Sequence, residues 1–453
     1  MTFSSLGLSS FLLQAISEQG YKKPTPVQLQ AIPAIIKGRD IMAAAQTGTG
    51  KTAGFALPVL QRLSQGNAVG ANRVRALVLT PTRELAIQVA EDISNYARHS
   101  SLRSCVVYGG VKINPQMMKL RKGADILVAT PGRLLDLYQQ NAVKFNQLEV
   151  LVLDEADRML DMGFITDIRK LIDLFPEKRQ SLMFSATYSA EIKKLAKSLL
   201  TRPLEISINA QTVAAKTVKQ WICPVDKKKK PALFMQLVKD NQWDQVLVFC
   251  KTKAGVNKLT GYLQQKGINA EAIHGDKSQG ARIKSLQRFK QGEVKMLVAT
   301  DLASRGLDID QLPQVVNFDL PNVAEDYIHR IGRTGRAGLS GEAVSLVSAD
   351  EFDMLSNIEH LINKLLPRRL IDGFEPVHDV PVSSLGRKVK KPKKPKKPKT
   401  PKQVNVADKD SSTSVKKRTQ GKKIFSKKKP ASRKKAGSSS RYGKKRKSAG
   451  NKQ

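Results

Sequence analysis

Acidic residues are scarce in this chain. Of its 453 residues 78 are Lys or Arg and 39 are Asp or Glu, a formal net charge of +39. A surplus of that size implies a polyanionic partner. Cysteine is rarer still: Cys105, Cys223 and Cys250 stand far apart in apolar runs. That pattern excludes a disulfide framework and a cysteine-built zinc site, and fits buried thiols in a reducing compartment. The five histidines are also scattered. No apolar run approaches the ~20 residues that cross a bilayer. The N-terminus carries Glu18 and has no basic segment of the kind that opens a secretory signal. No membrane partner is expected, and the expected location is cytoplasmic.

The length is too great for a single core, so two domains with additional segments are expected. The charge is not spread evenly. Residues 387–453 hold 28 basic residues against two acids, Asp408 and Asp410, which gives +26 of the total +39. This stretch repeats Lys-Lys-Pro from Lys390 onward and has almost no apolar residues. It cannot bury enough surface to offset its ordering entropy, so a disordered tail is expected over 376–453. Ahead of it, short Val/Ile/Leu-rich runs alternate with helical patterns. Strands are expected at 76–80, 104–108, 125–130, 150–154, 181–185 and 204–208, and again at 221–225, 246–250, 270–273, 296–300, 315–319 and 343–347. A polar break at 209–219 reads as a linker. The expected architecture is therefore α/β: a lead-in over 1–30, then two tandem parallel-sheet domains over 31–208 and 220–375. A short amphipathic helix carrying Leu6, Leu8, Leu12, Leu13 and Ile16 opens the chain, and a helix over 358–366 closes the second domain.

Chemistry concentrates in a few stretches. Ala45-Gln46-Thr47-Gly48-Thr49-Gly50-Lys51-Thr52 follows an apolar run and precedes a helical pattern, the context that a phosphate-binding P-loop requires. Gly48 and Gly50 let backbone N–H groups converge on one anion. Lys51 reaches phosphate, and the Thr52 hydroxyl suits Mg²⁺. Ala45 departs from the strict pattern, which has Gly there. Asp154-Glu155-Ala156-Asp157 follows the buried run Val150–Leu153, where open α/β sheets place ligands. Asp154 suits the metal and Glu155 suits a general base for water. In the second half, Arg330, Arg333 and Arg336 recur every third residue, on one side of a helix or its extension.

The literal Asp-Glu-Ala-Asp, together with the Ala45-led P-loop, resembles the DEAD-box family of RNA-dependent ATPases, most closely its RhlE-type subgroup. The resemblance covers about residues 1–375. It implies two RecA-like domains, ATP and Mg²⁺ as cofactors, and RNA as partner, single-stranded or in short duplexes, with little sequence specificity. It implies that Gln28 reads adenine while Phe3 and Tyr21 contact the base, and that Gln46 to Thr52 hold the phosphates. Arg333 and Arg336 become arginine fingers, and Gly306 and Asp308 touch nucleotide. Ser185 and Thr187, with Asp157 and His329, couple hydrolysis to strand separation. Pro81, Thr82, Arg83, Gly110, Thr130, Pro131, Gly132 and Arg133 are implied RNA contacts in the first domain. Gln279, Arg282, Thr300, Asp301 and Arg305 are their counterparts in the second. The expected activity is local RNA unwinding in ribosome assembly or RNA decay, with ribosomal or decay proteins as partners. A DNA-translocating helicase and an ATP-gated RNA clamp or annealing chaperone are the competing readings.

Overall fold

Strands built from uninterrupted Val, Ile, Leu and Ala bury both faces, which requires a parallel sheet covered by helices on each side. The computed structural model describes residues 2–45, 49–187, 189–207, 218–304, 309, 312–335 and 341–385. In the first domain a 3-10 turn, Phe3–Leu6, leads into α1 (Ser10–Glu18) and α2 (Pro26–Ile36). Then follow β1 (Ile41–Ala44), α3 (Lys51–Leu63), β2 (Val74–Leu79), α4 (Arg83–Tyr96), β3 (Ser104–Val107) and α5 (Asn114–Leu120). The domain continues through β4 (Ala124–Ala129), α6 (Pro131–Gln139), β5 (Val150–Leu153), α7 (Ala156–Asp161) and α8 (Ile165–Ile172). It ends with β6 (Gln180–Ser185), α9 (Ala190–Leu199) and β7 (Leu204–Ser207). The seven strands are parallel, in the order β3-β4-β2-β5-β6-β1-β7. Alternate residues feed two cores: Ala76 and Val78 face one, Leu77 and Leu79 the other. Phe3, Leu6, Leu8, Leu12 and Ile16 join the first of these. The lead-in is thus part of the first domain's core and not a separate segment.

The second domain runs β8 (Val218–Pro224), α10 (Lys230–Asp240), β9 (Val246–Phe249), α11 (Lys253–Gln265), β10 (Ala270–Ile273) and α12 (Gln279–Lys290). It continues with β11 (Met296–Ala299), α13 (Asp301–Ser304), β12 (Gln314–Asn317), α14 (Ala324–Ile331), β13 (Gly341–Val347) and α15 (Phe352–Ile362). Six parallel strands lie in the order β10-β11-β9-β12-β13-β8.

Three boundaries differ from expectation. Strand β8 begins at Val218, inside the expected linker, because Val218 is buried against Gly341 of β13; residues 208–217 lie outside the described part. Helix α15 starts six residues early and stops at Asn363, whose φ of 50° is left-handed and ends the helical ladder. Residues 376–385, assigned to the tail by composition, pack on the second domain. Val380 is buried with Ile222, Tyr327 and Ile358, and the Arg368 guanidinium donates to the carbonyls of Val380 and Pro381. The Lys-rich remainder from 386 on lies outside the described residues.

Strand order sorts the motifs. The P-loop follows β1, Asp-Glu-Ala-Asp follows β5 and Ser-Ala-Thr follows β6, and β5-β6-β1 are neighbours. The three stretches read as RNA contacts follow β2, β3 and β4, which are neighbours on the other side. One carboxyl edge therefore carries a half with the nucleotide motifs and a half with the stretches expected on RNA.

Candidate nucleotide site and interdomain cleft

In the nucleotide half, Gly50 caps α3 with φ 82°, a left-handed conformation that a side chain resists, and a Cβ there would run into the Gln28 amide. Lys51, the first helical residue, is buried, and its Nζ has no hydrogen-bond partner among the described residues. Asp154 Oδ1 and Glu155 Oε2 are buried in the same unpartnered condition. Burial pushes the Asp154 carboxyl up to about 6, against the pull of the Lys51 ammonium, and the Glu155 charge adds to the rise. Glu155 sits at φ 54°, ψ 52°, just ahead of α7. A left-handed glutamate costs about 1–2 kcal/mol, strain of a kind that gathers at functional sites. A buried ammonium and two buried carboxylates left with open valences are a poor way to stabilise a fold. They fit a phosphate chain and a hard cation, with Thr52 and Asp154 as the cation's protein ligands. Gln46, Thr47 and Gly48 lie outside the described residues.

Gln28 closes the other end of this site. Its Oε1 accepts from the Thr25 amide at 2.9 Å, and its Nε2 donates to the Gly50 carbonyl at 3.0 Å. It therefore fixes the P-loop's exit. One lone pair and one N–H of the amide are still uncommitted by these two bonds. Phe3 is buried and stacks on Tyr21 with centroids 6.3 Å apart, and the Tyr21 hydroxyl pairs with Tyr96 at 3.0 Å. Of the two expected base contacts, Tyr21 is the exposed one.

Asp157 joins the acidic motif to Ser-Ala-Thr. Its Oδ2 accepts from the Ala186 amide at 3.0 Å and from Thr187 Oγ1 at 3.4 Å, while Ser185 Oγ donates to the Thr187 carbonyl at 2.8 Å. Three of the four residues expected to couple hydrolysis to strand separation are thus hydrogen-bonded together, and His329 faces Asp157 and Thr187 across the cleft described below.

Two of the three stretches expected on RNA sit at helix starts. Thr82 caps α4, its Oγ1 accepting from the Leu85 amide at 3.3 Å. Thr130 precedes α6, whose first residue is Pro131. Gly110 has φ 78°, and a Cβ there would meet the Arg83 guanidinium. Arg133 Nη2 donates to the Val111 carbonyl at 2.8 Å. Pro81, Gly132 and the rest of this set share one edge. N–H groups at helix starts and guanidinium groups are the usual holders of phosphate.

In the second domain several residues expected on RNA have partners within the protein. Asp301 does not offer a free carboxylate to RNA. It forms a two-point pair with Arg330, Oδ1 to Nε at 2.5 Å and Oδ2 to Nη2 at 2.7 Å. Arg330 is 2% exposed and also donates to Asn317 Oδ1 and the Asp319 carbonyl. A guanidinium that deep must be paired, and Asp301 is what pairs it. Gln279 and Arg282, expected on RNA, reach instead across to the first domain. Gln279 Nε2 donates to Glu84 Oε1 at 2.7 Å, and Arg282 Nη2 stands 3.1 Å from the same oxygen. Thr300 is buried at the end of β11. Helix α14 ends at Ile331 and Gly332 follows, so Arg330 lies on the helix and Arg333 just past it. Arg333 is buried and lines a narrow pocket with Arg158, Asp326 and His329. Arg305, Gly306, Asp308 and Arg336 lie outside the described residues.

A wider cleft of about 450 Å³ joins Asp157, Arg158 and Thr187 of the first domain to Asp326 and His329 of the second. Arg158 Nη1 donates to Asp326 Oδ1 at 3.4 Å. Sequence reasoning gave no interdomain role to Glu84, Arg158 or Asp326. Each is a charged residue beside a motif, and nothing in the spacing signals its partner in the other domain.

A P-loop and an acidic motif on the ends of the two strands that flank β6, facing a second α/β domain across a cleft, define a two-domain nucleotide-hydrolysing motor. Residues 25–195 match the DEAD/DEAH box helicase family, and residues 229–338 match the helicase conserved C-terminal domain. The chain is 42% identical over 367 residues to the DEAD-box ATP-dependent RNA helicase CshA of Bacillus cereus, covering 81% of this chain and 69% of that protein. It is 42% identical over 368 residues to the ATP-dependent RNA helicase CshA of Limosilactobacillus reuteri, covering 81% and 73%. Among solved structures it resembles S. cerevisiae Dbp5 bound to RNA and ADP BeF3, at 31% identity and a TM-score of 0.74, covering 82% of this chain and 96% of that one. The chain belongs to the DEAD-box family of ATP-dependent RNA helicases.

Proposed function

We propose that closure of the two domains on RNA completes an ATPase site that neither domain contains alone. Lys51 holds the β- and γ-phosphates with the P-loop backbone, and Gln28 reads adenine with its remaining N–H and lone pair. Thr52 and Asp154 hold Mg²⁺, which supplies charge neutralisation at the phosphate oxygens. Glu155 accepts the proton of the attacking water. Arg333 and Arg336 bring positive charge from the second domain to the transition state, an effect worth ~10³–10⁵ in rate when fully expressed. RNA lies across the helix starts of the first domain and the segment around Thr300 and Arg305 of the second. Closure bends it and releases one strand of a short duplex.

The observation that carries this reading is a set of three buried groups with no hydrogen bond among the described residues, Lys51 Nζ, Asp154 Oδ1 and Glu155 Oε2, beside a cleft that the other domain walls. The likeness to Dbp5 holding RNA and ADP BeF3 supports it. Two substitutions test it. Lys51→Ala abolishes nucleotide binding. Glu155→Gln still binds ATP, stops turnover and stays trapped on RNA. Wild-type hydrolysis by Glu155→Gln overturns the assignment of the base.

Its setting is the cytoplasm, in ribosome assembly or RNA decay, with ribosomal or decay proteins as partners. Crosslinking of the protein to RNA in cells tests that setting. The motif wording favours the RhlE-type subgroup, whereas the curated relatives compared above carry the name CshA.

A further inference from the structure

Arg158 stands between the two domains and the proposed base. It lies on α7, one turn after Glu155, and its side chain is 6% exposed. Its Nε is 3.9 Å from Glu155 Oε2, too long for a hydrogen bond, while its Nη1 donates to Asp326 Oδ1 of α14 at 3.4 Å. Glu155 Oε2 accepts no hydrogen bond from any described residue. A guanidinium remains charged at every physiological pH, and when buried it is held by whichever carboxylate it can reach. With the domains together that carboxylate is Asp326. With the second domain withdrawn, Glu155, one helical turn back and already 3.9 Å away, is within its reach.

We propose that Arg158 is a positioning residue that reports domain closure to the base. In the open protein it donates to Glu155 Oε2, occupying the oxygen that has to accept a proton from water. In the closed protein Asp326 draws the guanidinium away and leaves Glu155 free. Hydrolysis without RNA is then suppressed on the first domain's own helix, independently of the arginines that the second domain adds. This rests on Glu155 being the base, as proposed above.

The full-length chain tests it through the sign of an interaction between two substitutions. Asp326→Asn leaves Arg158 on Glu155 even when the domains meet, so turnover at saturating RNA and ATP falls about tenfold while the KM for ATP holds. Adding Arg158→Gln removes the block, and the double variant turns over several-fold faster than Asp326→Asn alone. Arg158→Gln alone raises RNA-independent turnover several-fold over wild type. Arg158→Lys, a shorter point charge, gives an intermediate RNA-independent rate and serves if the glutamine variant does not fold. If Arg158 and Asp326 merely fasten the domains, the double variant is no faster than Asp326→Asn, RNA-independent turnover does not rise, and the proposal fails. Glu155→Gln placed in each background separates the two assignments. Turnover that survives it refutes the base itself, whereas turnover abolished by it in every background leaves the Arg158 result to stand or fall alone.

Discussion

Glu84→Ala separates the interdomain role of α12 from a role in binding RNA. Glu84 lies in the first turn of α4, is 8% exposed, and receives both Gln279 Nε2 at 2.7 Å and Arg282 Nη2 at 3.1 Å. Burial lowers the Arg282 pKa, and the Glu84 charge beside it works in the opposite direction. Removing Glu84 leaves a buried guanidinium with the Ala303 carbonyl at 3.2 Å. Truncating one member of a buried, hydrogen-bonded charge pair costs about 2–5 kcal/mol, largely from the charge left behind. Opening the cleft rehydrates Arg282, so the lower end applies: about 2 kcal/mol, or ~30-fold in the closure equilibrium. The loss belongs to closure and not to either domain, so the thermal unfolding midpoint shifts little. Turnover measured against RNA concentration should show half-saturation raised by about that factor. The sign is diagnostic. If Arg282 were an RNA contact that Glu84 only restrains, removing the acid would free a cation and tighten RNA binding. Unchanged or lowered half-saturation refutes the interdomain role.

Gly50→Ala should lose nucleotide affinity at least tenfold in equilibrium binding, because its φ of 82° and the nearby Gln28 amide leave no room for a methyl. Asp154→Asn should stabilise the nucleotide-free protein at pH 8. The Asp154 pKa rises from 3.8 to about 6 on folding. The folded chain therefore binds that proton more tightly than the unfolded one, and stability falls as pH rises between those values. The asparagine variant should lose that decline, and melting curves from pH 4 to 8 with and without the substitution check it. Deleting residues 387–453 should leave turnover at saturating RNA unchanged and flatten the salt dependence of RNA binding. Each phosphate contact contributes a log–log slope of about −0.7 for single strands, and the tail holds 28 of the chain's basic residues. Parallel salt series for full-length and truncated chains would rule out the tether.

The parts of this site that were legible in the sequence are local. A glycine loop between an apolar run and a helix, or acids at the end of an apolar run, can be recognised within a dozen residues because backbone geometry and chemistry coincide there. The pairs that join the domains are not local. Gln279 and Glu84 are 195 residues apart and Arg158 and Asp326 are 168 apart, so only the folded chain reveals them. The family resemblance puts Asp301 on RNA, yet the buried Arg330, which no window around Asp301 discloses, holds its carboxylate. The tail boundary slipped for a related reason. Residues 376–385 hold Val377, Val380, Val382 and Leu385 with no helical or strand periodicity, and of these Val380 is the one buried in the second domain's core.

The most direct test of the account is strand displacement from a short RNA duplex by the full-length protein, with ATP turnover followed in the same reaction. Closure on RNA predicts displacement only with ATP and Mg²⁺, loss of both signals in Lys51→Ala, and ATP turnover that rises many-fold with RNA but not with DNA of the same sequence. Equal stimulation by DNA and RNA, or ATP turnover indifferent to either, would contradict it.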